Sequence, residues 1–254
     1  TLFRSLPVED FFRFRNKAMV SATPIVPSDP RFAEQGFEML RIVPTYDYRQ
    51  PLTVCITNNT VRVLRILLAR FNKENEKTCI FLNSTDTTLS LIQTLKLQGR
   101  CKVFCSEKSV KKLKRQDFSE VSDNLTELAE VNFFTSRFYN ALDIELKIKP
   151  TVIMISDVYF SEYSMIDPHT DAIQAIGRFR NGVNRVCHIF NTNPNLPVRT
   201  EEEIGIYLQA NKEVYDKIKT FYDCATSEEA RNAYHGILKV LPFNQMLNKD
   251  GKEN

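Results

Sequence analysis

Leu52-Thr53-Val54-Cys55-Ile56, then Thr60 to Phe71 with Val61, Leu64, Leu67 and Leu68 at helical spacing, then Thr78-Cys79-Ile80-Phe81-Leu82, decide the fold of this chain. The outer two stretches are short apolar runs with β-branched and aromatic residues, and the middle one carries an apolar stripe of period 3.6. They read as strand, helix, strand. The alternation continues through a helix over Thr87 to Leu97, a strand over Cys101 to Cys105, helices over Ser106 to Arg115 and Phe118 to Leu128, and strands at Val131 to Phe134, Val152 to Ile155 and Val186 to Phe190. Strands joined through helices pair in parallel, so the expected fold is α/β: a doubly wound, mostly parallel sheet flanked by helices.

The flanks read differently. Ser5 to Asn16 predicts a short helix with Phe11, Phe12 and Phe14 as apolar surface, and Lys17 to Val20 predicts the end of a buried strand leading into Ser21-Ala22-Thr23-Pro24. Residues 25–50 are proline-rich and read as a linker with one edge strand near Met39 to Val43. Beyond Pro197 comes a helical extension, residues 200–254. Thr200 with Glu203 and Thr226 with Glu229 have capping-box spacing, and two helices are expected over residues 201–223 and 227–240. Tyr207, Val214, Ile218 and Phe221 are expected to pack on the α/β domain, and Asn248 to Asn254 to fray.

Of the 254 residues 43% are apolar and 26% charged, an ordinary globular balance that can bury a core. No apolar run approaches the roughly 18 residues that span a bilayer, and the first residues do not form a secretory signal. A cytoplasmic location without a membrane partner is expected. The six cysteines form no C-x-x-C pair. Cys101 and Cys105 with His188 are the one candidate ligand set, but structural zinc sites use paired short spacings, so free buried thiols and no metal are expected. A net charge of +3 is too small to argue for nucleic acid. Its local distribution says more: Lys108, Lys111, Lys112 and Arg115 fall at i, i+3, i+4 and i+7, one helical face that could follow a phosphate backbone or simply face solvent.

In a doubly wound sheet, ligands bind beyond the carboxyl ends of the strands. The stretches there are Ser21-Ala22-Thr23, Asn83-Ser84-Thr85, Cys105-Ser106, Thr135-Ser136 with Asp143 farther on, and Gln174-Ala175-Ile176-Gly177-Arg178-Phe179-Arg180. The last is expected in a helix from Asp167 to Arg180, with Asp167 as N-cap, Pro168 at the first helical position, and Gln174 and Arg178 on one face beside Gly177. Guanidinium groups suit phosphate because they stay charged and offer paired planar donors. A basic helix end that complements the helix dipole is the plain alternative.

The order of these stretches resembles the superfamily 2 nucleic-acid helicases. Ser21-Ala22-Thr23 is similar to motif III, Ile80 to Ser84 to motif IV, Thr135-Ser136 through Ala141-Leu142-Asp143 to motif V, and Gln174-x-x-Gly177-Arg178 to motif VI, over residues 1–195. The resemblance implies a RecA-like fold: residues 1–24 as the tail of a first RecA-like domain, 25–50 as linker and 51–199 as the second domain. It implies that Gln174 and Arg178 face ATP phosphates, with Arg178 or Arg180 as arginine finger, and that Gly177 and Asp143 lie near the nucleotide. It further implies that Thr135, Ser136 and the residues around Asn83, Ser84 among them, touch the nucleic-acid backbone, and that Ser21, Ala22 and Thr23 couple the two activities; the basic stripe is a further candidate on its spacing alone. Two positions depart from the pattern: Asn181 stands where the second arginine is expected, and Ala141 replaces the motif V glycine.

The chain also lacks G-x-x-x-x-G-K-S/T and a D-E-x-x box, the groups that cradle phosphate and hold magnesium. ATP and Mg2+ are therefore expected as cofactors of a full-length motor, of which this chain is expected to be a fragment that is inactive alone. The expected partners are nucleic acid, DNA in preference to RNA, and the first RecA-like domain. The alternative is a degenerate helicase-like domain that binds nucleic acid or protein without enzymatic work.

Overall fold

The computed structural model describes residues 8–23, 29–43, 45, 47, 49–72, 77–139, 143–159, 161–195 and 197–247. The chain divides into two units, residues 1–193 and 194–254. In the first, the short helices α1 (Val8–Arg13) and α2 (Pro30–Glu34) precede an alternation that runs β1 (Leu52–Ile56), α3 (Thr60–Asn72), β2 (Thr78–Phe81), α4 (Thr85–Leu95), β3 (Cys101–Phe104), α5 (Glu107–Lys114), β4 (Val121–Ser122), β5 (Val131–Phe134), β6 (Thr151–Ser156), α6 (Asp171–Ile176) and β7 (Arg185–Phe190).

The seven strands form one parallel sheet in the order β1-β7-β6-β2-β5-β3-β4. This is the doubly wound α/β fold the alternation predicted. β2, β5 and β6 are buried along their whole length, which explains why they read as continuous apolar runs instead of alternating ones. Successive side chains still point to opposite faces. Ile80, Val103, Phe133, Ile153 and Ile189 meet Leu64 of α3, Leu91 and Ile92 of α4 and Leu113 of α5. Phe81, Phe104, Phe134, Met154 and Val186 meet Ala172 and Ala175 of α6, together with Phe138, Ile144 and Phe179. On that second face the register Phe104↔Phe134↔Phe81 stacks three rings at 4.9 and 5.2 Å.

This order places a switch point between β2 and β6. The chain leaves β2 through α4 on one face and moves toward β3; it leaves β6 through α6 on the other face and moves toward β7. Opposed departures open a crevice at the carboxyl ends, where such sheets bind ligands.

Several local expectations are corrected. No helix spans Phe118 to Leu128: Asp117 takes a positive φ of 59°, Ser122 and Asn124 close a turn through hydroxyl and backbone, and β4 lies between. Lys17 to Val20 form no strand, and Val20 is 96% exposed. Met39 to Val43 are likewise irregular, with Met39, Leu40, Ile42 and Val43 exposed. The first helix ends at Arg13 instead of Asn16, and residues 1–7 lie outside the described residues. Within the linker, Phe32 and Phe37 join Phe11 and Phe12 in a ring cluster, capped by Arg31 4.5 Å over Phe12, whereas Phe14 stays exposed.

The second unit holds α7 (Glu201–Cys224) and α8 (Glu228–Val240). The Thr200–Glu203 capping box forms, but Ser227 caps α8 in place of Thr226, its hydroxyl accepting from the Ala230 amide. Within this unit Tyr215 meets Phe243 and Phe221 stacks on Tyr234, while Tyr207, Val214 and Phe221 remain exposed and Ile218 is half-buried. Residues 248–254 lie outside the described residues.

Candidate functional site

α6 is shorter than the Asp167–Arg180 helix expected from sequence. Asp167 instead closes the turn before it, its carboxylate accepting from the His169 and Thr170 amides at 2.7 and 2.8 Å, which holds its pKa below the usual range. The helix ends at Ile176, and Gly177 follows as C-cap. A Cβ at 177 would stand 3.1 Å from the Ile173 carbonyl oxygen, so glycine suits this close passage. The chain then extends. Ile144 N donates to Arg178 O at 2.7 Å and Arg180 N to Ile144 O at 3.2 Å, a parallel bridge centred on Ile144 and Phe179. Phe179 turns into the core, which leaves Arg178 and Arg180 on the outer side.

The two arginines are held differently. Arg178 Nε donates to Gln174 O at 2.9 Å and its terminal nitrogen to Gln174 Oε1 at 3.4 Å, the i, i+4 contact expected. Arg180 pairs with Asp143 at 2.6 Å, both side chains about half exposed at 52%. Asn181, where a further arginine was looked for, donates instead to Leu146 O. Gln174 also reaches across 151 positions of sequence: its Nε2 donates to Thr23 Oγ1 at 2.8 Å, and Thr23 N in turn donates to Ser21 Oγ. Ser21 and Ala22 are exposed beside it. Pro24, Ala141 and Leu142 lie outside the described residues.

A second cluster occupies the switch point. Ser84 caps α4, accepting from Thr87 N, and its hydroxyl also accepts from Ser161 Oγ at 3.1 Å. Asn83 accepts from Ser136 N at 3.2 Å and donates to Tyr163 O at 3.0 Å. The backbone-binding candidates thus divide. Ser84 and Thr135 are turned inward, 4% and 8% exposed, with the Thr135 hydroxyl on Phe104 O; Ser136 is exposed and Asn83 half-buried. On α5 all four basic residues are exposed, but Lys111 pairs with Glu107 and Lys112 with Asp86, so part of the stripe is neutralised locally.

The sequence reading missed the loop after β6. Asp157, buried at the strand end, accepts from Asn191 Nδ2 at 2.8 Å and from Tyr159 N, and Asp157 N donates to Ser164 Oγ. Ser156 Oγ stands 2.9 Å from His188 Nε2 and accepts from Ile166 N, and burial lowers the His188 pKa from its ordinary value. The signal was available, since a carboxylate directly after an apolar run is what a strand-end rule would mark.

The cysteine and histidine trio is not a site. Cys101 belongs to β3 and Cys105 follows it, whereas His188 is on β7, with β6, β2 and β5 between, roughly 19 Å at normal strand spacing. Burial pushes both thiols up to about 11, and among the described residues no three His, Cys, Asp or Glu side chains could hold a metal ion. No described helix is long and apolar enough to cross a membrane.

No family model matches this sequence, and no curated protein does. Among solved structures, the chain is similar to S. cerevisiae Dbp5 bound to RNA and ADP BeF3 (16% identity, 64% of this chain and 38% of that one, TM-score 0.35). It is also similar to the Hef helicase domain of Pyrococcus furiosus (18%, 60% and 27%, 0.29) and to a CRISPR-associated protein (10%, 83% and 29%, 0.38). The chain thus spans well under half of each. With TM-scores below 0.5 these likenesses carry no argument, and any functional reading rests on the contacts described above.

Proposed function

We propose that residues 1–195 are the second half of a superfamily 2 helicase or translocase motor, whose Arg178 completes an ATP site and whose strand-end loops grip a nucleic-acid backbone. The observation that carries this reading is the Gln174–Thr23 hydrogen bond. It joins the stretch similar to motif III to the stretch similar to motif VI, while Asn83 and Ser136 join those similar to motifs IV and V. Four stretches that are separate in sequence become two linked pairs.

The chain's own groups fit one arm of an ATP site. Gln174 offers an amide and fixes the plane of the Arg178 guanidinium through Nε, and Gly177 admits close backbone. The sequence holds neither G-x-x-x-x-G-K-S/T nor a D-E-x-x box, so in this reading a partner domain supplies the phosphate cradle and the magnesium ligands. Bound ATP would supply the phosphoanhydride and the negative charge that develops on its phosphate oxygens, and magnesium would neutralise part of that charge. Arg178 then contributes what a finger contributes, on the order of 10³ to 10⁵ in rate, or about 4–7 kcal/mol of barrier. Its Gln174 anchor ties that contribution to Thr23, on the segment that leads toward the other domain. Arg180 is the weaker candidate because Asp143 competes for it, although an exposed pair is worth only about 0–1 kcal/mol.

The test is an ATPase assay of the full-length polypeptide with single-stranded DNA and RNA in parallel. Turnover stimulated by either polymer is expected, with DNA the stronger. Turnover unaffected by both polymers would sink the motor reading and leave a binding module.

A further inference from the structure

The loop that follows β6, residues 157–166, is pinned from below and presents aromatic surface above. Its buried side is a hydroxyl and amide network: Ser161 Oγ donates to Ser84 Oγ, Asp157 N donates to Ser164 Oγ, Ile166 N donates to Ser156 Oγ, and Val158 N donates to Asn191 Oδ1. Ser161 and Ser164 are 2% and 0% exposed, so these bonds are shielded from competing water. Outward, Tyr163 is 64% and Met165 61% exposed. Tyr159 is tied back by its hydroxyl to Thr192 O, whereas the Tyr163 hydroxyl has no hydrogen-bond partner among the described residues.

Tyr163 is also where the backbone-binding candidates lead. Ser136 N donates to Asn83 Oδ1, and Asn83 Nδ2 donates to the carbonyl of Tyr163, so the Tyr163 backbone is tied to both. Arg137 stands exposed beside Ser136 on the same edge. A large exposed ring on a base held by buried hydrogen bonds is the composition of a stacking platform for unpaired bases.

We infer that Tyr163 stacks on a base of the single strand gripped at Asn83 and Ser136. The inference rests on the nucleic-acid reading above and adds a contact with bases to a site otherwise built for phosphates. Because every base offers a π-face, the contact carries affinity without sequence preference.

The experiment compares the chain with Tyr163→Ala and Tyr163→Phe on two fluorescent probes of about 20 residues, a thymidine oligonucleotide and an abasic oligomer with the same backbone. Because the chain has nine tyrosines and no tryptophan, the quenching of intrinsic tyrosine fluorescence that is lost in Tyr163→Phe reports the share due to Tyr163. Tyr163→Ala should bind the thymidine probe about 5- to 150-fold more weakly and the abasic probe unchanged, with Tyr163→Phe close to the parent on both. Equal loss on both probes would make Tyr163 a structural residue and overturn the inference, as would no loss on thymidine. If the parent chain binds neither probe, the nucleic-acid reading fails as well.

Discussion

Thr23→Val removes the acceptor of the Gln174–Thr23 bond while keeping side-chain volume. Gln174 Nε2 loses a 2.8 Å, partly buried, neutral partner, so the net cost is about 0.5–1.5 kcal/mol. Residues 17–22 have no regular structure, and Thr23 is the anchor joining this segment to α6. Weakening it by that amount raises the detached population about 2- to 12-fold. When detachment and return are fast relative to cleavage, proteolysis reports that population. Trypsin cleavage after Lys17, followed by mass of the products, should therefore speed up by the same factor. Gln174→Leu should give a similar increase, the double variant no more than either single one, and Thr23→Ser little change. Rates that multiply in the double variant, or do not change in the singles, would refute the idea that this bond holds the segment.

Phe134, fully buried between Phe81 and Phe104, should cost about 3–5 kcal/mol when changed to alanine, read as a lower urea midpoint; under 1 kcal/mol would contradict the stacked-ring core. Changing Lys108, Lys111, Lys112 and Arg115 to glutamine should flatten the salt dependence of nucleic-acid binding, but by less than four charges because Glu107 and Asp86 already offset two; an unchanged slope assigns the stripe to solvent. Burial lowers the pKa of His188 in the folded chain below 6.5, so between the two values the unfolded chain binds more protons. Stability from this group is complete above pH 6.5 and is lost as pH falls toward the folded value. His188→Gln should remove that part of a urea-midpoint profile, and an unaltered profile would contradict it.

The sheet was legible because parallel strands buried on both faces, such as Val131 to Phe134, read as plain apolar runs, and because α3 and α4 keep a clean stripe. What failed was local. Val20 and Met39 to Val43 have strand-like composition, yet composition does not supply a pairing partner, and they stay exposed. Phe118 to Leu128 carries apolar residues near helical spacing, but the turn at Ser122 and Asn124 overrides them. In α6 and just beyond it, the contact between Gln174 and Arg178 was legible from their i, i+4 spacing. The contact with Thr23 was not, because no local pattern encodes a bond across 151 positions. In the loop after β6, Asp157 carried a legible signal as a carboxylate directly after an apolar run, whereas the Ser161 hydroxyl acquires meaning only when packed against Ser84.

Whether Arg178 completes an ATP site from this domain is decided by stimulated ATP turnover and nucleotide affinity of the full-length polypeptide with Arg178→Ala and with Arg180→Ala. Turnover should fall on the order of 10³ to 10⁵ for Arg178→Ala with nucleotide affinity kept, and less than about tenfold for Arg180→Ala. Unchanged turnover in Arg178→Ala, or the larger loss in Arg180→Ala, would contradict that role for Arg178.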